Sequence, residues 1–258
     1  MNDYLIPNLK NACKILVMLA ESDRGLSASE IENKLDMPHT TVFRILKTLI
    51  HEQMASKQGR YYFAGNSLLN IGLQMVSTNK LREKAVPVLH QLSVLTGFSS
   101  HLAVPSGYNS LIIEVCDSPR PTKIASRQGT LAPLHCSSTG KIFMAHLYHN
   151  KIEDIFNEIG FAKRTDKTIT TVAQIKEELK KVVAKGYAMD EREYTNEVRC
   201  LAAPIIDYRG NAVAAIGITA HVTDFTPDLI PSISKIVKEA GTKLYYKAEL
   251  NASKPAHA

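Results

Sequence analysis

The chain has 258 residues, 45% of them hydrophobic, and 31 Lys/Arg against 25 Asp/Glu for a formal net charge of +6. This composition supplies a buried core and excludes a disordered or low-complexity chain. No apolar run approaches the ~18 residues of a membrane span, and residues 1–7 lack the layout of a signal peptide. Cys13, Cys116, Cys136 and Cys200 form no CxxC pair and argue for reduced thiols. The expectation is a soluble, cytoplasmic protein with no membrane partner.

Leu9, Ala12, Ile15, Leu16 and Leu19 repeat at helical spacing and predict a first helix over 9–21. Ser27-Ala28-Ser29-Glu30 matches a capping box and opens a short helix carrying Ile31 and Leu35. After the break at Asp36-Met37-Pro38, the stretch from Pro38 to His51 buries Val42, Ile45, Leu46 and Leu49 on one stripe. Thr40, Arg44, Lys47 and His51 fall opposite that stripe, and no carboxylate intervenes before Glu52. Short capped helix, tight turn and polar-faced helix together read as a helix-turn-helix whose second helix enters the DNA major groove.

Two short strand-like runs then flank Lys57-Gln58-Gly59-Arg60, a basic hairpin that would serve as a wing touching phosphates. The expected DNA-binding residues are His39, Thr40, Thr41, Phe43, Arg44 and Lys47, with Lys57 and Arg60 from the wing. Charge here is local rather than global: residues 1–65 carry eight Lys/Arg and seven acids. Affinity must therefore rest on a few placed contacts.

Asn66 opens a connecting helix rich in exposed-looking aliphatics, which predicts a partner subunit. The boundary falls near 78–82. Beyond it, helices are expected at 83–96, 138–148, 151–159, 172–185 and 228–247. Strands are expected at 99–104, 109–116, 122–127, 187–190, 200–207 and 212–219. Such mixing without βαβ alternation points to an α+β domain with a mainly antiparallel sheet. On the last strand Ala215, Gly217 and Thr219 share a face of small side chains, which leaves room for a helix or a small molecule.

His135-Cys136-Ser137-Ser138-Thr139-Gly140-Lys141 gathers hydroxyls and free amides at a helix start, a ready anion site. The pattern is not a nucleotide-binding loop, because the earlier glycine is missing and Ile142 follows the lysine. The rival class is a small-molecule enzyme. Cys200 or Cys136 would act with His101 or His135, or His135, Asp190 and Cys200 would hold a metal. No spacing supports either, so no catalytic residue, metal or cofactor is assigned.

The turn Met37-Pro38 into Thr41-Val42-Phe43-Arg44-Ile45-Leu46, then Leu134-His135 before Gly140-Lys141, then Gly186-Tyr187 leading to Arg199-Cys200-Leu201-Ala202-Ala203-Pro204, occur in fixed order. In these marks, over about residues 8–247, the chain resembles the isocitrate-lyase-regulator (IclR) family of bacterial transcription factors. The resemblance implies a winged helix-turn-helix domain (1–65), a linker helix (66–80) and a GAF-like effector-binding domain (81–250), with 251–258 left as a disordered tail. It implies a homodimer or homotetramer on palindromic operator DNA, commonly a repressor of a catabolic operon. It further implies that Ser138, Thr139, Asp190, Cys200, Gly217 and Thr219 border a pocket for a small organic acid. The polarities here favour a sugar-acid-like molecule or a keto acid.

Overall fold

The computed structural model describes residues 4–77, 80–119, 127–208 and 210–252. Contacts divide the chain into two compact units, Met1–Thr78 and Asn79–Ala258.

The first unit begins with helix α1, Pro7–Ala20, whose proline stands in the first turn, where no amide donor is required. A two-residue strand β1, Leu26–Ser27, leads into α2, Ala28–Leu35. The capping box at its start is complete. Glu30 N donates to Ser27 Oγ at 3.3 Å, and Ser27 N donates to Glu30 Oε2 at 2.8 Å. Asp36 closes α2 in the left-handed conformation, with φ 50°. Helix α3 then runs over His39–His51, one residue later than the sequence suggests. Pro38 stays extended and caps α3 through its carbonyl, which accepts from the Thr41 and Val42 amides.

Strands β2, Ala55–Gln58, and β3, Tyr61–Ala64, form the hairpin, with Gln58 opposite Tyr61. Gly59 at φ +58° is the first of two loop residues, the position that a tight hairpin reserves for glycine. β1 adds to the outer edge of β3, giving the order β1-β3-β2. This third strand is too short to leave a periodic signal. Ile15, Leu19, Ile31, Val42, Leu46 and Tyr62 are buried together in one core. Helix α4, Asn66–Ser77, leaves Leu69, Ile71, Leu73 and Met75 between 43% and 70% exposed.

The second unit opens with α5, Lys80–Thr96, followed by strands β4, Ser99–Ser106, β5, Asn109–Cys116, and β6, Leu131–Pro133. Helices α6, Ser138–His146, α7, Ile152–Ile159, and α8, Val172–Lys185, come next. Strands β7, Ala188–Glu191, β8, Val198–Ile206, and β9, Ala212–His221, precede α9, Ile230–Ala252. The sheet is antiparallel throughout, in the order β6-β5-β4-β9-β8-β7. α5 and α9 pack on one face around Leu89, Ile216 and Val237; α6, α7 and α8 cover the other around Phe143, Ile155 and Leu179. The architecture is α+β, as expected.

Two features differ from the expectation, and a third lies almost wholly outside the described residues. Of the strand expected at 122–127, residues 122–126 lie outside those described, and Arg127 is not in a strand. Among the described residues the sheet also holds a strand that the sequence did not suggest, β6, an edge strand ending at Pro133, where a missing amide costs no ladder bond. Finally, α9 continues through Ala252, two residues into the stretch expected to be a tail; the remainder, 253–258, lies outside the described residues. Among the described residues no helix is long and apolar enough to cross a membrane.

Candidate nucleic-acid interface and effector cavity

The candidate DNA face is built by α3 and the β2–β3 hairpin. Burial of Val42, Ile45, Leu46 and Leu49 fixes the roll of α3 and turns His39, Thr40, Phe43, Arg44 and Lys47 outward. Thr41 is half-buried at the edge of that face. Lys57 and Arg60 are exposed on the hairpin. The Lys57 ammonium lies 5.2 Å from the Tyr62 ring centre, and the Arg60 guanidinium 5.0 Å from that of Tyr61. Aromatic support of this kind holds a cation extended while leaving its charge to solvent. Thus seven of the eight residues named from sequence are exposed and cationic, polar or aromatic.

In the second unit the register of three strands does what spacing in the chain cannot display. Asp190 on β7 pairs with Cys200 on β8, and Cys200 pairs with Thr219 on β9. Residues directly opposite share a face, so the three side chains form a row. Cys200 Sγ is 3.3 Å from Thr219 Oγ1, and Thr219 Oγ1 is 3.4 Å from His101 Nδ1 on β4. The start of α6 faces this row, and between them lies a cavity of about 50 Å³ lined by His101, Ser138, Thr139, Asp190, Cys200 and Thr219, among others.

Gly217 does not line that cavity. It lies opposite His101 in the β4–β9 register, where a Cβ would come within 2.9 Å of the imidazole Nε2 and 2.8 Å of the Leu201 carbonyl oxygen. The space left by the small residues of β9 is therefore taken partly by the His101 ring. His101 is the residue that sequence reasoning underweighted. Its signal was slight: an imidazole inside a predicted strand.

The hydroxyls at the start of α6 are unequal. Ser137 Oγ accepts from Gly140 N at 3.1 Å and donates to the Pro133 carbonyl at 2.6 Å. Thr139 Oγ1 accepts from Ser110 Oγ at 2.7 Å. Ser138 is buried, and its hydroxyl makes no hydrogen bond among the described residues. It is the α6 hydroxyl left for a ligand.

Burial dominates the titration of the cavity. It pulls the His101 imidazole down to about 4, so the ring is neutral at physiological pH. It pushes the Asp190 carboxyl up to about 7, against two amides, Glu193 N at 2.7 Å and Tyr194 N at 3.2 Å, that favour its anion. Burial also raises the Cys200 thiol, with Asp190 adding to the effect, and pushes Cys136 up to about 12. Both sulfurs stay protonated at neutral pH, the wrong state for a nucleophile. Among the described residues no three His, Cys, Asp or Glu side chains are grouped to hold a metal.

Lys141 is fully buried. Its ammonium donates to Glu193 Oε1 at 2.5 Å and to the Met189 carbonyl at 2.9 Å, with Glu178 Oε1 at 3.4 Å. The Gly140-Lys141 pair therefore ties α6 to the β7–β8 connection, whose Glu193 amide also holds Asp190.

The comparisons follow the same division. Residues 9–59 match the IclR helix-turn-helix domain, and residues 73–246 match the domain described as bacterial transcriptional regulator IclR C-terminal. The chain is 31% identical over 240 residues to the HTH-type transcriptional regulator BhcR of Paracoccus denitrificans (strain Pd 1222), covering 92% of this chain and 86% of the relative. It is 26% identical over 238 residues to the HTH-type transcriptional repressor AllR of Klebsiella pneumoniae, covering 92% and 88%. Its fold is similar to that of an IclR homolog complexed with 4-hydroxybenzoate from Microbacterium hydrocarbonoxydans, with TM-score 0.77, 19% identity, and 95% and 100% of the two chains covered. These relatives are regulators rather than enzymes, and the chain belongs to the IclR family of bacterial transcriptional regulators.

Proposed function

We propose that this regulator is a cytoplasmic repressor of a catabolic operon, released or tightened on its operator by a small carboxylic acid bound beside Asp190, Cys200 and Thr219. The observation that carries the reading is the row His101–Thr219–Cys200–Asp190 facing the unpaired hydroxyl of Ser138 across the cavity. Amides and a hydroxyl at a helix start suit a carboxylate. The neutral imidazole and the Thr219 hydroxyl suit a keto or hydroxyl oxygen. The structural neighbour that holds 4-hydroxybenzoate supports an acid as effector. The small cavity, about 50 Å³, favours a keto or hydroxy acid of a few carbons over a full sugar acid.

The pH dependence follows from Asp190. Burial raises its folded pKa to about 7 from an unfolded value near 3.9. This group's contribution to stability is fully present below about pH 4 and is lost as pH rises through about 7. Its proton is also what lets an anion lie beside it. Short keto and hydroxy acids screened by thermal shift are expected to raise the melting temperature through mass action, more at pH 6 than at pH 8. Asp190→Asn is expected to flatten that pH dependence. Ser138→Leu and Thr219→Val are expected to abolish or shrink the shift. A best hit that is uncharged and apolar, or one indifferent to both substitutions, would contradict this site.

DNA reading is proposed for Thr40, Arg44 and Lys47 at base edges and adjoining phosphates, with His39, Thr41 and Phe43 beside them and Lys57 and Arg60 on the backbone. Assembly is proposed as a homodimer or a dimer of dimers. The exposed aliphatics of α4, with Leu5, Ile6, Leu9 and Val17 about α1, support it. One winged helix also reads too few base pairs to be selective in a genome. Light scattering is expected to give at least twice the 28.5 kDa chain mass. A monomer that retained operator binding would contradict it.

A further inference from the structure

On α3 the aliphatic side chains Val42, Ile45, Leu46 and Leu49 are buried, whereas the aromatic ring of Phe43 is 50% exposed. Phe43 lies three residues after Thr40 and four before Lys47, so it flanks the outward face next to Arg44. His39, one turn earlier, lies against it with ring centres 6.5 Å apart and planes 23° apart. His39 Nδ1 is in turn paired with the Glu32 carboxylate of α2. At the other end of α3 the Glu52 carboxylate is paired with His51 at 2.8 Å. An apolar ring thus stands among donors and cations, with the Glu32 and Glu52 carboxylates each paired to a histidine.

In the major groove the edges of the four bases are polar save for one apolar group, the C5-methyl of thymine. We propose that Phe43 is a specificity-determining residue that packs on the C5-methyl of a thymine next to the base reached by Arg44, and so selects T over C there. The inference rests on the DNA-reading role of α3 proposed above.

The test uses the full chain, wild type and Phe43→Ala, to select sites from a randomised duplex pool. The wild type is expected to enrich a site with a fixed thymine in each half, and Phe43→Ala the same site with that position relaxed. Replacing the thymine by uracil removes only the methyl, and is expected to weaken wild-type binding about fourfold per half-site, the effect of burying one carbon. Phe43→Ala is expected to bind thymine and uracil sites alike. Arg44→Ala on the same sites separates the two claims. If Arg44→Ala loses binding while the wild type does not distinguish thymine from uracil, the role of Phe43 is overturned and the reading helix stands. If Arg44→Ala binds as wild type does, or the wild type selects no site, both are overturned.

Discussion

Arg44→Ala is expected to weaken operator binding by roughly five- to 150-fold per half-site, the ~1–3 kcal/mol of a good bidentate base contact. The effect should appear in binding alone. Arg44 is exposed in the middle of the outward face of α3, and the bonds that fix its backbone do not involve its guanidinium. Surface substitutions away from caps and pairs alter stability by only about 0.5 kcal/mol, so the melting temperature should stay near that of the wild type. Lys57→Ala provides the contrast. Its ammonium, held over Tyr62 on the hairpin, suits a phosphate. Its loss should weaken all sequences alike and lower the salt dependence by about one counterion. Titration of labelled duplexes at several salt concentrations separates the two behaviours. An unchanged operator affinity in Arg44→Ala would remove α3 as the reading helix.

Lys141→Met is expected to be strongly destabilising. The ammonium is fully buried, bonded to Glu193 and Met189 and close to Glu178. Methionine matches its length but leaves the Glu193 carboxylate, itself nearly buried and raised in pKa by that burial, without its cation. Breaking one side of a buried pair costs about 3–5 kcal/mol, which corresponds to a fall in melting temperature of roughly 6–20 °C for a unit of this size. The double variant Lys141→Met/Glu193→Gln should recover part of that loss, because no unpaired charge remains. Calorimetry of the three chains checks the sequence of values. A single variant as stable as wild type would show that the pair contributes nothing.

The local features of the first unit were legible because their causes are local. The capping box at Ser27 and Glu30, the buried stripe from Val42 to Leu49 and the glycine turn at Gly59 each act within a few residues. β1 and β6 were missed because two or three residues carry no period, and each exists only through the strand it joins. At the cavity, Asp190, Cys200 and Thr219 are separated by nine or more positions in the chain, and only the antiparallel register aligns them. Alternation along the last strand pointed to Thr219, but Asp190 and Cys200 were assigned to a pocket through family resemblance, not spacing. Gly217 was assigned to the pocket because strand alternation gives a face, and the face is right. The occupant of that space is the His101 ring, whose position depends on β4 pairing with β9 across more than a hundred residues. The sequence excludes a nucleotide-binding loop at Gly140-Lys141 but gives Lys141 no role, because its partner, Glu193, is 52 residues away.

The central claim joins the two units: an acid in the cavity changes the affinity of α3 for its operator. Two ligands linked through one protein must each alter the other's binding by the same factor. The direct measurement is the operator dissociation constant of the full chain with and without a saturating concentration of the acid that gives the largest thermal shift, repeated on Ser138→Leu. The account predicts a change of about five- to 150-fold in the wild type, the usual range of such coupling, and none in Ser138→Leu. An operator affinity that stays the same with the cavity filled, or one that changes equally in Ser138→Leu, would contradict it.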